Sequence, residues 1–386
     1  MLVQLHLLQN YSPANLNRDD TGAPKDALFG GIRRGRISSQ CLKRAIRRSD
    51  TFAAAFKGGG LLATRTKSLP ALVKGELEKL CAEEAAVLAI VARVPEIGRE
   101  SAKRRADESK EAPDEETEAP ANAKAETETK QLIFLGQDEV RALAGRLLST
   151  YRQYGDAKKW AKAKIGDITK ALGSTVPRSV DVALFGRMTT SDAFEDVQAA
   201  VQVAHALSTN ALAEEFDYYT AVDDLSGESG AGMIGDVEFN SSTYYKYLSV
   251  HWEKLVENLG GDGDVARKAM LALVEAAATA QPTGKQNSFA AHCLPDLVLV
   301  EVRERNLPVN YANAFLKPAR HGADRSVIDD SAAKLADYLT RVGQAYGLVE
   351  DSRAYMALQA YELPGAQRVA TLAHLQAWLA GQLREG

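Results

Sequence analysis

The chain has 386 residues, of which 45% are hydrophobic and 25% charged, and a formal net charge of -4, an ordinary composition for a soluble globular protein. No apolar run reaches the roughly 20 residues that cross a bilayer, and the N-terminus MLVQLHLLQN has neither a basic segment nor a cleavage site, so we expect neither a membrane protein nor a signal peptide. Cys41, Cys81 and Cys293 are scattered without a CxxC pair, which favours reduced thiols and a cytoplasmic protein over a disulfide framework or a zinc site.

The N-terminal part of the sequence predicts a strand, a loop and a helix. Residues Leu2 to Leu8 alternate between apolar and polar side chains, which is typical of a half-buried strand. A loop rich in Pro, Asn, Asp and Gly follows from Ser12 to about Pro24. A helix is expected from Gln40 onward, with Ser38 or Ser39 as its N-cap.

The next part predicts helices around an acidic insertion. The pattern is helical from Pro70 to Val94, and Pro95 is expected to end that helix. The segment from Ser101 to Lys130 contains no aromatic residue and no Val, Ile or Leu, so we expect a disordered insertion there. Helical periodicity returns at Asp138–Tyr154 and at Ala157–Leu172.

The remaining sequence alternates strand and helix patterns. Strands are predicted at Val180–Leu184, Phe216–Val222 and Val237–Val250, and the Gly- and Ser-rich segment between the last two indicates a long hairpin with a flexible tip. A helix at 264–280, a strand in LVLVEV and C-terminal helices at 326–346 and 367–383 follow. This order predicts an α+β fold with large inserted segments.

Positive charge is concentrated in GGIRRGRISSQCLKRAIRRS, which runs from Gly30 to Ser49 with seven Lys and Arg residues and no acid. A helix N-terminus favours an anion, and Arg suits bidentate contacts with phosphate, so this stretch predicts a site for a polyphosphate chain. The alternative is a solvated cationic face, which is what charge runs usually are. The residues of the predicted site are Arg33, Arg34, Arg36, Ser38, Ser39, Gln40, Lys43, Arg44, Arg47 and Arg48.

Two further segments each have two interpretations. The loop PTGKQNS lacks the first Gly and the Ser or Thr of a Walker A motif, so Lys285, Gln286 and Asn287 either donate to backbone phosphates or form an ordinary polar turn. The predicted hairpin carries an apolar and aromatic set that either packs on itself or stacks on bases, at about 1–3 kcal/mol per base. That set is Tyr218, Tyr219, Val222, Met233 and Ile234.

Candidates for catalysis are few. His6, His205 and His292 are each more typical of structural histidines, and Asp223 with Asp224 forms either a metal pair or turn chemistry. The sequence contains no HExxH, GxSxG or paired CxxC motif. We therefore expect a protein without enzymatic activity, metal or cofactor.

Several ordered segments resemble one protein family. The stretch SPANLNRDDTGAPKDALFGGIRRGRISSQCLKRAIR is similar to the N-terminal signature of the CasC family, the backbone subunit of Cascade, the type I-E CRISPR surveillance complex. Further matches follow in order from Leu2 to about Lys317: VDVALFGRM, VQVAHALSTN, DYYTAVDDL, GAGMIGDVEFNSSTYYKY, PTGKQNSFAAHCLPDLVLVEVRER and NYANAFLKP.

The resemblance implies an RRM-like (ferredoxin-like) palm, an inserted helical fingers region and a β-hairpin thumb. On this basis we predict a first part of the palm with the basic helix at 1–60 and fingers at 61–178, with the disordered insertion at 101–130. The palm would continue at 179–215, the thumb would occupy 216–245, and 246–386 would complete the palm and add C-terminal helices.

The resemblance also implies residue roles. Arg18, Lys25, Ser38, Gln40, Lys43 and Arg47 match positions that contact the guide RNA backbone, although Arg47 stands where a Lys is expected. Tyr218 and Tyr219 match the aromatic pair of a thumb that displaces a nucleotide of the neighbouring subunit's guide, where other members carry different aromatics. Met188 matches a position that abuts the guide–target duplex. The acidic insertion matches no family feature.

The function implied is a non-catalytic subunit that binds crRNA, self-associates into a helical filament and supports guide pairing with target DNA, alongside other Cascade subunits in the cytoplasm. One alternative is a metal-dependent ribonuclease using Asp20 or Asp223. The other is an endoribonuclease that processes the guide precursor, which would need His6 or His205 exposed beside the RNA.

Overall fold

The computed structural model describes residues 1–97, 128–129, 132–172, 179–189, 194–222, 231–348 and 352–384. The chain divides into two compact units. The first, here called the sheet unit, comprises residues 1–55, 201–253 and 266–386, and the second, the helical unit, comprises 56–200 and 254–265. The predicted disordered insertion lies outside the described residues, apart from Glu128 and Thr129.

The strands and helices follow one another along the whole chain. The strands are β1 (Leu2–Ala14), β2 (Asp26–Phe29), β3 (Ile32–Ile37), β4 (Ala63–Thr66), β5 (Ile133–Gly136), β6 (Val201–Val203), β7 (Ala206–Ser208), β8 (Glu215–Val222), β9 (Ala231–His251), β10 (Leu297–Arg303), β11 (Ser352–Ala357) and β12 (Gln367–Arg368). The α-helices are α1 (Ser39–Arg47), α2 (Asp50–Ala55), α3 (Leu69–Lys79), α4 (Glu84–Val91), α5 (Val94–Ile97), α6 (Gln137–Tyr154), α7 (Ala157–Lys162), α8 (Ile165–Leu172), α9 (Val180–Phe185), α10 (Trp252–Asn258), α11 (Gly263–Thr279), α12 (Gln286–Phe289), α13 (Val327–Tyr346) and α14 (Leu372–Gln382). A 3₁₀-helix covers Tyr311–Phe315.

The sheet unit is built on one sheet of ten strands in the order β12-β11-β10-β1-β9-β7-β3-β2, with β6 and β8 also pairing with β9. Its pairs are antiparallel except for β11 with β12. The mixed α+β class expected from the sequence is therefore confirmed. None of the described helices is long and apolar enough to cross a membrane.

The expectation of a half-buried first strand is wrong. Both faces of β1 are covered, and even Gln4 and His6 have no exposed surface. Their face packs under the 3₁₀-helix and α13, where Leu8, Tyr311 and Leu335 belong to one apolar core. The alternation therefore reflects a buried polar cluster on one face rather than contact with solvent.

The helical unit has its own apolar core between α3, α4, α6 and α7, with Val73, Ile90, Leu147 and Trp160 at its centre. The indole N–H of Trp160 donates to the carbonyl of Ala89 at 3.0 Å, which satisfies the polar end of this buried ring. A small antiparallel sheet of β4 and β5 belongs to the same unit.

Several element predictions are confirmed and others are wrong. The hairpin of β8 and β9, strand β10, and helices α6, α11 and α13 lie where expected, although the hairpin tip at 223–230 is outside the described residues. The 70–94 and 157–172 patterns each give two helices, Pro95 lies inside α5, and 367–371 precedes α14. The predicted strand at Val180–Leu184 is helix α9, because a short, fully buried apolar run does not distinguish strand from helix.

Candidate nucleic-acid interface

Helix α1 is fixed to the sheet unit at its first residue. Ser38 is the N-cap, and its hydroxyl accepts the Cys41 N–H at 3.2 Å, as the Ser-Ser pair predicted. The Ser38 N–H donates to Asn17 Oδ1 at 2.8 Å, so the cap is joined to the LNRDD segment. Leu42 and Ile46 are buried one turn apart, which leaves the opposite side of the helix for polar residues.

The N-terminal N–H groups of α1 are largely satisfied by the protein itself. The Ser39 N–H donates to Nδ1 of His205 at 3.2 Å, and the Leu42 N–H donates to the Ser38 carbonyl at 3.1 Å. Together with the Cys41 contact, this occupies three of the first four amides. The helix terminus by itself is therefore a weaker anion site than the sequence predicted, and nearby side-chain charges have to supply most of the attraction.

Three cations surround His205 at this end of α1. Lys25 is placed by main-chain bonds to Asn17 and Arg36, each 2.8 Å long, while the Arg36 guanidinium contacts His205 Nδ1 at 3.5 Å. Burial lowers the pKa of His205, and the charges of Arg36, Lys25 and Lys43 lower it further. The imidazole is thus held neutral in a region of positive potential. Sequence reasoning missed His205 in this role because it lies far from α1 along the chain.

The solvent side of α1 is cationic over most of its length. Gln40, Arg44 and Arg48 are exposed, and Lys43 and Arg47 are half-buried. A cleft of about 420 Å³ runs between Arg44, Arg48 and the loop at Thr283. Outside the helix, Arg18 is exposed and its backbone bridges to Pro24. The structure therefore brings Lys25, Gln40 and the basic residues of α1 onto one continuous surface.

Arg34 does not belong to that surface, and its prediction as a phosphate contact is corrected here. Its side chain has no exposed area, and its guanidinium donates to the carbonyls of Ser208, Thr209 and Phe315 at 2.7–3.2 Å. Arg33, its neighbour on β3, is exposed and paired with Asp26 at 2.8 Å. Successive residues of a strand point to opposite faces, so the two arginines have different environments.

Replacing Arg34 by Met is expected to lower the free energy of unfolding by about 2–3 kcal/mol, because several buried carbonyls lose a charged donor. Urea unfolding followed by tryptophan fluorescence measures this. Arg33→Met is the matched control and is expected to change stability little, since an exposed ion pair contributes little. An equal loss in both variants would contradict a structural role special to Arg34.

The loop at 285–287 is mostly committed to internal contacts. The side-chain amide of Gln286 donates to the carbonyl of Pro282 at 3.0 Å, and Lys285 has a left-handed backbone with φ 49°. A Cβ at Gly284 would lie 2.3 Å from the Leu16 carbonyl oxygen, so only glycine allows this approach. These contacts favour the polar-turn interpretation for Gln286, while Asn287 is exposed.

The β8–β9 hairpin does not bury its apolar residues against itself. Tyr218 is 65% exposed, Tyr219 41% and Ile234 62%, and the side chain of Val222 is outside the described residues. Tyr219 lies across Gly235, where a Cβ would come within 2.5 Å of its hydroxyl. The self-packing alternative therefore accounts for Tyr219 in part and leaves Tyr218 and Ile234 without cover among the described residues.

Met188 lies in the helical unit with 90% of its surface exposed. It borders a cleft of about 640 Å³ that Arg65, Phe134 and Phe194 also line. The Arg65 guanidinium is 5.4 Å from the centre of the Phe134 ring, a cation–π distance. Sequence reasoning did not single out Arg65, because nothing in the short ATRT strand distinguishes it from an ordinary surface arginine.

The residues considered for catalysis lie apart. His6 has no exposed surface, and its imidazole contacts Glu301 and Tyr245, so it cannot reach an RNA strand. His205 and Asp20 are exposed, and Asp223 lies outside the described residues. Within the described part of the chain, no group of three or more His, Cys, Asp or Glu side chains is placed to hold a metal ion.

Comparisons with known proteins agree with this architecture. A family model described as CT1975-like protein matches residues 3–380. A chain of a solved "CRISPR RNA-guided surveillance complex, pre-nicking" is 28% identical, with a TM-score of 0.77 and 100% of each chain covered. A chain of a "CRISPR RNA-guided surveillance complex" is 24% identical, with a TM-score of 0.60 and 99% of each chain covered, and shows the shared fold. A search of curated proteins gave no match. The resemblance drawn from the sequence motifs is thereby confirmed, and the chain belongs to the CT1975-like protein family of Cas proteins.

Proposed function

We propose that this protein is a non-catalytic backbone subunit of a Cascade surveillance complex that binds crRNA along the α1 surface. Several copies would follow one guide strand as a filament and support its pairing with target DNA. The RRM-like palm and the thumb are part of this proposal. Full-length similarity to chains of RNA-guided surveillance complexes supports it.

The observation that carries the proposal is the group of cations at the start of α1. Lys25, Arg36 and Lys43 act together on His205, although they come from different elements. A lone charge run would lie on one solvated helix face, whereas here a loop, a strand and a helix converge. Charges spread over such a surface suit a chain of phosphates better than one small anion.

Both enzymatic alternatives have less support. A processing endoribonuclease would need a general base, and of its two candidates only His205 reaches solvent. His205 Nδ1 accepts the Ser39 N–H, so the second ring nitrogen would have to serve as the base. A metal-dependent ribonuclease would depend on Asp20, which is exposed, or on Asp223. We therefore propose binding without cleavage.

Binding of the full-length protein to single-stranded RNAs of about 6 to 60 nucleotides tests the function. We expect affinity to rise with length, to tolerate sequence and to fall with salt, with a log–log slope of about -0.7 per phosphate contacted. The RNA should remain intact after prolonged incubation with Mg²⁺. Tight binding to a single RNA hairpin only, or cleavage that a chelator or Asp20→Ala abolishes, would instead support one of the nuclease functions.

A further inference from the structure

The β8–β9 hairpin has a charge that nucleic acid would repel. From Ala211 to Tyr245 the sequence holds eight Asp and Glu residues and no Lys, Arg or His. Surfaces that follow a phosphate backbone carry the opposite charge, because much of their affinity comes from neutralising phosphates. The hairpin as a whole is therefore built for a positively charged partner, and RNA is not one.

One face of the hairpin combines this charge with exposed apolar side chains. Tyr218 pairs with Asp236 and Phe216 with Glu238, and residues directly opposite in an antiparallel pair share a face. Phe216, Tyr218 and Ile234 on this face are each more than 60% exposed. We call these five residues the acidic hairpin face. A two-stranded ribbon is marginally stable alone, and a contiguous exposed apolar patch marks an interaction site.

The base of the hairpin shows that its carboxylates crowd one another. The pKa of Glu238 is raised, first by burial and then by the negative charges of Glu214, Asp19 and Asp26. A cationic partner placed against this face would relieve the repulsion.

The sheet unit also carries a basic surface separate from α1 that has an apolar lining. A cleft of about 780 Å³ is lined by Ile32, Leu316 and Pro318 together with five basic residues. These are Lys317, Arg320, His321, Arg325 and Lys334. The one lining carboxylate, Asp330, is paired with Arg325 at 3.3 Å and with Lys334 at 3.7 Å. Among the described residues, neither Lys317 nor Arg320 lies at ion-pair distance from a carboxylate. This basic cleft therefore has an unbalanced positive charge beside an apolar lining.

We propose that the acidic hairpin face of one copy docks in the basic cleft of a second copy. The two surfaces match in both respects, apolar lining against apolar side chains and a surplus of cations against a surplus of carboxylates. The α1 surface is basic as well, but its solvent face is polar throughout and is assigned to RNA. The inference rests on the proposed function, since it names the contact between successive copies.

This contact has a consequence for assembly. The face and the cleft are different parts of the chain, so every copy offers one of each, and a head-to-tail contact of that kind generates an open filament unless it closes into a ring. It also divides the hairpin between two partners. Tyr218 and Ile234 contact protein, whereas Tyr219 and Met233 on the opposite face stay available for bases.

Charge reversal on each side of the contact tests the proposal. With full-length protein on an RNA of about 60 nucleotides, we expect Asp236→Lys and Arg320→Glu each to weaken association between copies about tenfold or more. Combining the two substitutions in one chain should restore association to within about threefold of the original protein, because the swapped charges again attract. Mass photometry counts the copies on each RNA.

Binding to an RNA of about 10 nucleotides, which holds a single copy, separates the two proposals. All variants should bind it as the original protein does, and Arg305→Glu and Glu362→Lys at exposed sites serve as charge-matched controls. Original protein that fails to bind the short RNA would overturn the proposed function. Normal short-RNA binding without loss or rescue on the long RNA would overturn the docking contact. Tighter binding of Asp236→Lys to both RNAs would mean that this face lies on RNA, which also overturns it.

Discussion

Replacing Glu301 by Gln is expected to lower the free energy of unfolding by about 3–5 kcal/mol at pH 7, since it leaves buried cations without their partner. Glu301 lies on β10 with no exposed surface. Its carboxylate accepts from Arg303 at 3.1 Å and from the Nε–H of Arg353. An amide in its place would turn an N–H₂ group towards these donors.

The neighbours of Glu301 form one connected network. His6 is neutral, because burial lowers its pKa, and its Nε2–H donates to Glu301 at 3.1 Å. Nδ1 of His6 then accepts from the Tyr245 hydroxyl at 2.8 Å, an assignment made from the partners of each atom. The Tyr311 hydroxyl donates to Glu301 at 3.0 Å. Each polar group therefore depends on the central carboxylate, and its loss affects several at once.

The same carboxylate gives stability a defined pH dependence. Burial raises the pKa of Glu301, but the His6 contact and the charges of Arg303 and Arg353 outweigh it and lower the pKa from 4.5 to about 2. Because the folded carboxyl releases its proton more readily than the unfolded one, the stabilisation is complete above pH 4.5 and is lost as the pH falls towards 2. Glu301→Gln lacks this group, so its stability should fall less over that range.

Urea unfolding at pH 7 and at about pH 3, followed by tryptophan fluorescence, measures both effects. Glu304→Gln, three residues further on and exposed, is the matched control and should change stability little. Tyr311→Phe removes only one hydroxyl and should cost about 1 kcal/mol, which provides a measurable variant should Glu301→Gln not fold. Equal stability of the Glu301 and Glu304 variants would contradict the network described here.

Sequence patterns predicted β10 but not what it contains. LVLVEV is apolar and β-branched enough to indicate a buried strand, and the single Glu resembles an ordinary interruption. Its partner Arg353 lies 52 residues further along the chain, on a strand that the sequence did not predict. Pairing between distant strands is set by tertiary packing, so one sequence alone cannot indicate which cation meets a buried acid.

The candidate site shows the same limit at shorter range. Helix α1, its N-cap and its buried residues follow from local spacing and were predicted, because capping and periodicity act within a few residues. Treating the upstream arginines as one group failed because β3 was not recognised as a strand in IRRGRI. Had it been, alternation would have separated exposed Arg33 from buried Arg34. His205 could not be found this way, since it contacts Ser39 across 166 residues.

Reversing the charges of Lys25 and Lys43 together is expected to weaken binding to a short single-stranded RNA about 100-fold or more. A charge-assisted contact with phosphate is worth about 1.5–3 kcal/mol, so losing two contacts removes about 3 kcal/mol or more. Both lysines contribute to the positive potential at His205, and they come from different elements. Lys25→Glu/Lys43→Glu therefore removes charge from the centre of the proposed RNA surface without altering a buried group.

The dependence on salt distinguishes lost phosphate contacts from general damage. Two fewer contacts should reduce the magnitude of the log–log salt slope by about 1.4, whereas partial unfolding would lower the bound fraction without changing the slope in this way. Lys25→Arg/Lys43→Arg keeps the charge and should bind nearly as the original protein does. Arg305→Glu/Arg341→Glu makes the same change in net charge at exposed sites away from α1 and should bind normally. If that control lost as much affinity as the lysine variant, overall charge rather than the α1 surface would govern RNA binding.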